Sequence, residues 1–362
     1  MEKKDQPCRI TLIGHAAFGQ NIFDGQTTKT RNVIAALKAF LPAERLVVRD
    51  TLGGKKRLLT FFFQLPRDMR QSQHMIMMPA HNSLRFFAPL MWFWQHFFHC
   101  KLHYVMIGEW LPEFVEQHRY LKRPLQHFEA IYAETRETQK KLQDMGFTQT
   151  LLMPNFKNLN VLTPEDLMKI PYPAADEPLK LCIFSRIFKE KGIELAVEGV
   201  KLYNQRAGRD VFTLDIYGPV DGAYQEDFQK LQKTFPHTIR YCGVVPADQS
   251  VRALASYQAM LFLTWCEGEG FPGTLIDAMA AGLPVIASDW RHNRDILEPH
   301  QMALFSKPKD LDSLLTCLQT FDEDRKLWQA KRADILQAAK LYAPEKVIQT
   351  LLAKLACRGT DN

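Results

Sequence analysis

One stretch constrains this chain more than any other. It runs Ala259-Met-Leu-Phe-Leu-Thr264, then Gly268, Gly270, Pro272 and Gly273, then Leu275, Ile276, Met279 and Ala280 at helical spacing, then Leu283-Pro-Val-Ile-Ala287. A short apolar run reads as a buried strand, the glycines and proline interrupt it, and a helical period follows. The succession is strand, glycine-rich loop, helix, strand. Strands joined this way pair in parallel, and parallel sheets need helices on both faces. In such open α/β sheets, ligands bind where strand C-termini meet helix N-termini. The turn formed by Gly270, Phe271, Pro272, Gly273 and Thr274 presents backbone N–H groups at a helix start, which suits a phosphate. Two carboxylates flank it: Glu269 at the mouth of the crevice and Asp277 about one helical turn further in. Beside a phosphate they would repel it unless they serve its neutral neighbours. A sugar nucleotide supplies those as hydroxyls on either side of a diphosphate.

A second motif, Ser185-Arg-Ile-Phe-Lys-Glu-Lys-Gly192, follows the strand-like run Leu179–Phe184 and precedes a helical pattern over Ile193–Tyr203. Arg186 and Lys191 therefore occupy another strand-to-helix junction. A guanidinium forks onto phosphate oxygens and an ammonium supplies a mobile point charge. Together they suit a diphosphate leaving group.

At 362 residues the chain predicts two domains. Met168-Lys-Ile-Pro-Tyr-Pro-Ala-Ala-Asp-Glu-Pro178 lacks periodicity and carries three prolines, so the boundary is placed there, giving domains 1–170 and 171–343. Strand patterns at Ile10–Ile13, Leu46–Val48, Met75–Met78, Leu102–Ile107, Ala130–Ala133 and Thr150–Met153 precede it. Those at Phe212–Tyr217, Thr238–Cys242, Met260–Leu263 and Pro284–Ala287 follow the one at Leu179. The expected architecture is α/β, two doubly wound Rossmann-like domains facing across a cleft. Charge is uneven: residues 1–170 hold 23 Lys+Arg against 15 Asp+Glu, and the remainder 23 against 25. Seven cysteines without a CxxC pair read as reduced core thiols of a cytosolic protein. No signal-peptide h-region opens the sequence, and no stretch reaches the ~18 apolar residues of a membrane span. The expectation is a protein neither exported nor integral to a membrane.

Arg186 with Lys191-Gly192, followed by Glu269-Gly-Phe-Pro-Gly-Thr-Leu-Ile-Asp277 and Ala278-Met-Ala-Ala-Gly-Leu-Pro-Val-Ile-Ala287, resembles the retaining glycosyltransferases of family four, which have the GT-B fold. Asp24-Gly-Gln-Thr-Thr-Lys-Thr-Arg-Asn32, Ile107-Gly-Glu-Trp-Leu-Pro-Glu113 and Met153-Pro-Asn-Phe-Lys157 resemble the bacterial capsule and exopolysaccharide branch. The resemblance implies that Arg186 and Lys191 bind the donor diphosphate, that Glu269 contacts the transferred sugar, and that the acid at 277 holds the ribose. It departs at one point: that acid is usually Glu, and here it is Asp277. It further implies sugar transfer with retention to a saccharide hydroxyl, with a polyprenyl-diphosphate-linked acceptor, and a final helix, Pro344 to Cys357, packing back on the first domain. No cofactor or metal is expected beyond the nucleotide-sugar donor.

The first domain adds softer signals. Gly25, with Thr27 and Thr28, opens a helix over about Gln26–Phe40 whose positive end suits donor phosphates or a plain turn equally. His81, just past the strand Met75–Met78, is placed to donate to a sugar hydroxyl, against the alternative of a locally satisfied histidine. Asp322-Glu-Asp324 matches the Asp-x-Asp metal signature but sits among Arg325 and Lys326, so it reads as a solvated face. Leu58, Phe61, Phe62 and Leu65 recur at helical spacing beside Lys55-Lys-Arg57, and Arg85–Phe98 is equally aromatic. Core packing and a peripheral membrane contact through 55–67 and 85–98 both remain open.

Competing functions are a nucleotide-sugar epimerase or hydrolase of the same architecture and a non-catalytic partner in a polysaccharide assembly complex. Nicotinamide chemistry is disfavoured because no Gly-x-Gly-x-x-Gly leaves either opening strand. Nucleic acid is disfavoured because no binding motif accompanies the basic half.

Overall fold

A computed structural model describes residues 8–20, 25–52, 54–79 and 81–356, with the side chains of 54–59 and of 81 outside that description. The chain divides into two compact units, Met1–Asn158 with Pro344–Asn362, and Leu159–Ala343.

The first unit is built on six parallel strands: β1 (Ile10–Gly14), β2 (Leu46–Asp50), β3 (His74–Met78), β4 (Lys101–Val105), β5 (Ala130–Ala133) and β6 (Thr150–Leu152), in the order β2-β1-β3-β4-β5-β6. Every residue of β1, β3 and β5 is buried, as a sheet covered on both faces requires. The pleat sends Ile10 and Leu12 into one core with Val33, Ile34 and Leu37 of the helix Gly25–Phe40. Ile13 enters the other, with Phe61 and Leu65 of the helix Gly54–Gln71 and Phe87 and Met91 of the helix His81–Gln95. Two short helices, Pro344–Val347 and Gln349–Leu352, stand where one helix to Cys357 was expected, and Cys357 lies outside the described residues. Val347, Ile348, Leu351 and Leu355 complete the core on the Leu12 side.

The second unit repeats the plan with β7 (Leu179–Phe184), β8 (Phe212–Tyr217), β9 (Ile239–Gly243), β10 (Ala259–Phe262), β11 (Val285–Ser288) and β12 (Ala303–Ser306), all parallel, in the order β12-β11-β10-β7-β8-β9. The chain winds from β7 outward to β9, returns to β10 on β7's other side, and winds out to β12. The order therefore reverses between β7 and β10. That reversal opens a crevice at the carboxyl ends of the two strands. β12, missed in the sequence, is a half-buried edge strand too short to show a period.

The boundary lies near residue 158, not 170. Leu159, Val161 and Leu162 pack on the second unit's core, and the Leu162 N–H donates to the Ala280 carbonyl at 3.0 Å. The supposed linker also holds a helix, Pro164–Met168, opened by a capping box between Thr163 and Asp166. Cys100, Cys182 and Cys317 are buried free thiols as expected. Cys8 is disulfide-bonded, which corrects the expectation of seven reduced thiols. Sequence spacing is blind to such a closure, so the cysteine pattern does not assign a compartment.

Candidate active site

The two motifs that the sequence separates by nearly eighty residues meet because β7 and β10 are neighbours across the reversal. The chain leaves β7, forms a tight turn over Lys189–Lys191 and enters the helix Ile193–Ala207. Gly192 joins turn to helix with φ of 73°, and a Cβ there would stand 2.4 Å from the Leu263 carbonyl oxygen. Only glycine permits both the left-handed backbone and the approach to the end of β10. The Glu190 carbonyl then accepts the Trp265 N–H at 2.8 Å, and Lys191 is delivered to the loop that follows β10.

There Lys191 Nζ forms an ion pair with Glu269 Oε2, the two side chains only 11% and 13% exposed. Thr264 Oγ1 donates to the same oxygen at 3.0 Å. Both bonds fall on Oε2, which leaves Oε1 outside the pair. The ammonium also lies over the rings of Phe188 (5.4 Å) and Phe262 (5.5 Å). Lys191 is thus held, not the mobile charge expected of it, because a neighbouring strand supplies a carboxylate that its own motif does not reveal. Arg186 is the freer cation: its guanidinium stacks over Phe188 at 5.1 Å and comes only to 3.9 Å of Asp221.

Pro272 caps the helix Gly273–Ala280, with Gly270 and Thr274 on either side of the turn. Thr274 Oγ1 donates to the Phe184 carbonyl at 2.6 Å, tying this helix start to the end of β7. Phe271 is buried against Tyr342, with ring centroids 5.1 Å apart, so its side chain anchors the loop. Asp277 lies within the helix at 2% exposure, where Ser250 Oγ donates to its Oδ1 at 3.1 Å. The structure gathers Arg186, Lys191, Glu269 and the Gly270–Thr274 turn at the carboxyl edge, and sets Asp277 behind them on Ser250. Glu267 pairs with Arg291 and remains structural. Glu323 and Asp324 are exposed as expected, but Asp322 is only partly so: it accepts from Arg325 Nε at 2.9 Å and from the Tyr203 hydroxyl at 3.2 Å, pinning a helix end.

In the first unit Gly25 is the first residue of its helix. His81 opens the next helix but one, and its imidazole lies outside the described side chains. Two features there and in the second unit escaped the sequence reading. Thr264, read as the last residue of a strand, orients Glu269. In the first unit, Lys29 and Glu134 form a sealed ion pair, each side chain 3% exposed. Glu109 completes that cluster: its Oε1 accepts the Glu134 N–H at 3.1 Å, while its buried Oε2 has no hydrogen-bond partner among the described residues. Burial first, and the Glu134 charge second, push the Glu109 carboxyl up to about 8. The only signal for this cluster was that Lys29 and Glu109 each lie in a quoted segment.

The paired parallel sheets and the crevice at β7/β10 define a GT-B architecture. Residues 178–324, which lie within the second unit, match the family model for glycosyl transferases group 1. The chain is 25% identical over 149 residues to the amylovoran biosynthesis glycosyltransferase AmsK of Erwinia amylovora, covering 40% of this chain and 36% of that protein. It is 28% identical over 222 residues to the GtfA subunit of the UDP-N-acetylglucosamine–peptide N-acetylglucosaminyltransferase of Streptococcus parasanguinis, covering 59% and 42%. The matches thus span about two fifths of the length of these curated relatives. Among solved structures, Anabaena HepE in complex with UDP superposes with a TM-score of 0.73 at 14% identity, over 96% of this chain and 99% of that one. HepE is also known with UDP-glucose bound.

Proposed function

We propose that this chain is a glycosyltransferase that moves a sugar, with retention, from a nucleotide-diphosphate sugar to a hydroxyl of a saccharide acceptor in cell-surface polysaccharide synthesis. The observation that carries the reading is the Lys191–Glu269 pair at the β7/β10 reversal, with one carboxylate oxygen committed to Lys191 and Thr264 and the other left for a ligand. The crystallised relative HepE binds UDP and UDP-glucose, which supports a uridine-diphosphate donor.

In this reading the diphosphate lies against the Gly270–Thr274 turn, where helix N–H groups meet an anion. Arg186 swings from Phe188 onto phosphate oxygens, and Lys191 adds its charge from the other side. Glu269 accepts a sugar hydroxyl through Oε1 and fixes the ring. The acceptor oxygen bonds to the anomeric carbon on the face that the diphosphate leaves. The carbon–oxygen bond to the β-phosphate breaks, and the acceptor proton passes to a phosphate oxygen. The developing charge is met by Arg186 and Lys191, a role that fixed cations fill without a metal. Asp277 sits one shell back, and its reading as the ribose ligand requires it to exchange Ser250 for a ribose hydroxyl. The acceptor is assigned as a lipid-linked saccharide on the cytoplasmic side of a membrane.

A thermal-shift screen of uridine and other nucleotide sugars tests the donor site. At ligand a hundredfold above its dissociation constant the wild type gains roughly 2.7 kcal/mol. One donor should stabilise the wild type, and Glu269→Ala and Arg186→Ala should each lose most of that shift. If no nucleotide sugar stabilises the wild type, the non-catalytic assembly partner becomes the better account.

A further inference from the structure

Among the described residues, every exposed aromatic side chain lies in the first unit, and most lie on or beside two helices, Gly54–Gln71 and His81–Gln95. The inward stripes of these helices are clear. Phe61, Leu65 and Met69 recur at intervals of four on the first, and Leu84, Phe87, Ala88 and Met91 at three and four on the second, all in one core. The periodicity that singled out Leu58, Phe61, Phe62 and Leu65 therefore marks mainly the buried face, with Phe62 turned outward and Leu58 outside the described side chains.

What remains outside is as regular as what is buried. Phe63, 78% exposed, shares a stripe with Arg67 and Arg70 at i, i+4 and i+7. Phe86, 68% exposed, is followed by Phe93 and Phe97 at +7 and +11, with Arg85 beside it. From Thr51 to Gly108 the sequence holds seven Lys and Arg and a single acid, Asp68. That acid is buried under Arg49, which grips it through Nε at 2.8 Å and Nη2 at 2.7 Å. Arg67, Arg70 and Arg85 form no ion pair among the described residues. An exposed aromatic ridge on a soluble surface marks an interaction site, and its chemistry is cationic with no exposed acid.

We infer that the outer face of these two helices docks on an anionic lipid bilayer, with Phe63, Phe86 and Phe93 set into the headgroup boundary and Arg67, Arg70 and Arg85 on lipid phosphates. Aromatic rings settle at that boundary, and each cation near an anionic surface strengthens binding about fivefold. The inference deepens the lipid-linked acceptor reading by naming the surface that meets the membrane. It corrects which side chains do so: the apolar stripe picked out by spacing belongs to the core.

The test is sedimentation of the full chain with vesicles of phosphatidylcholine alone or mixed with phosphatidylglycerol, at low and high salt. The wild type should pellet with the anionic vesicles, and salt should release it. Arg67→Glu/Arg70→Glu/Arg85→Glu should weaken binding by roughly a hundredfold or more, and Phe63→Ser/Phe86→Ser/Phe93→Ser should abolish it even at low salt. All six positions are exposed, so melting temperatures near wild type are expected and establish that the variants fold. Failure of the wild type to bind anionic vesicles overturns the proposal, as does binding that neither variant weakens. A wild-type dimer in sedimentation velocity that the serine variant dissolves, without vesicle binding, would assign the face to a second copy of the chain. Because no sugar is present, the transferase reading can fail in the donor screen while this docking stands, and the reverse.

Discussion

Each unit carries a lysine–glutamate pair at the carboxyl edge of its sheet, and the two pairs differ in nearly everything else. Lys191 and Glu269 come from loops that flank a reversal of strand order, keep about a tenth of their surface, and leave Glu269 Oε1 outside the pair. Lys29 and Glu134 join a helix to the end of β5, are sealed, and sit beside a second carboxyl held neutral by burial. The same two residue types thus make a partly exposed pair, proposed above as the donor site, in one unit and a buried strut in the other. What decides is whether the topology opens a crevice at that point.

The contrast predicts opposite phenotypes. Lys29→Ala strands a buried carboxylate and should cost about 3–5 kcal/mol in denaturant unfolding, with donor affinity retained by whatever fraction folds. Lys191→Ala should unfold nearer the wild-type midpoint, while turnover falls roughly 10²–10³-fold, the usual cost of removing one fixed group that meets developing charge. Equal losses of stability in both variants would erase the distinction. Thr264→Val should be milder. It removes a hydrogen bond worth about 1 kcal/mol, so kcat/KM should fall roughly fivefold, and a loss confined to stability would deny Thr264 its orienting role.

A last contrast is in pH dependence. Glu109 is raised from its ordinary value to about 8 in the folded chain. Between about pH 4.5 and 8 the folded state therefore holds a proton that the unfolded state has released, so this group's contribution to stability is lost as pH rises through that window. Glu109→Gln should flatten that slope. His74 and His103, linked at 3.0 Å, act the other way: burial depresses them to about 4 and about 3. Unfolding lets them take up protons, so their contribution is lost as pH falls below about 6.5. Stability of the wild type and Glu109→Gln across pH 5 to 8 separates the two.

The strands were legible because buried parallel strands are continuous apolar runs, and β7, β8, β10 and β11 stand out as such. The edge strand β12 was not, since four residues, three of them half-buried, carry no period. The boundary was misplaced because prolines mark an irregular segment, while Leu159 and Leu162 reveal their allegiance only through what they pack on. For the site, Gly192 and the Gly270–Gly273 turn were visible as backbone requirements, and Arg186, Lys191 and Glu269 as charges at strand ends. Their pairing was not visible, because it depends on which strands are neighbours. Lys29, Glu109 and Glu134 lie 25 to 105 residues apart in sequence, and nothing local distinguishes a buried lysine from a surface one. The two aromatic helices show the limit most plainly: the spacing identified a face correctly, yet which face meets solvent came from the neighbouring helix.

The central claim is a division of labour in which Glu269 holds the sugar and Lys191 the diphosphate. Calorimetric titration of UDP and of the best-binding UDP-sugar into wild type, Glu269→Gln and Lys191→Ala tests it directly. The account predicts that Glu269→Gln weakens the UDP-sugar far more than UDP, and that Lys191→Ala weakens both alike. If Glu269→Gln weakens the two ligands equally, or leaves both unchanged, the carboxylate does not read the sugar and the assignment of this site is wrong.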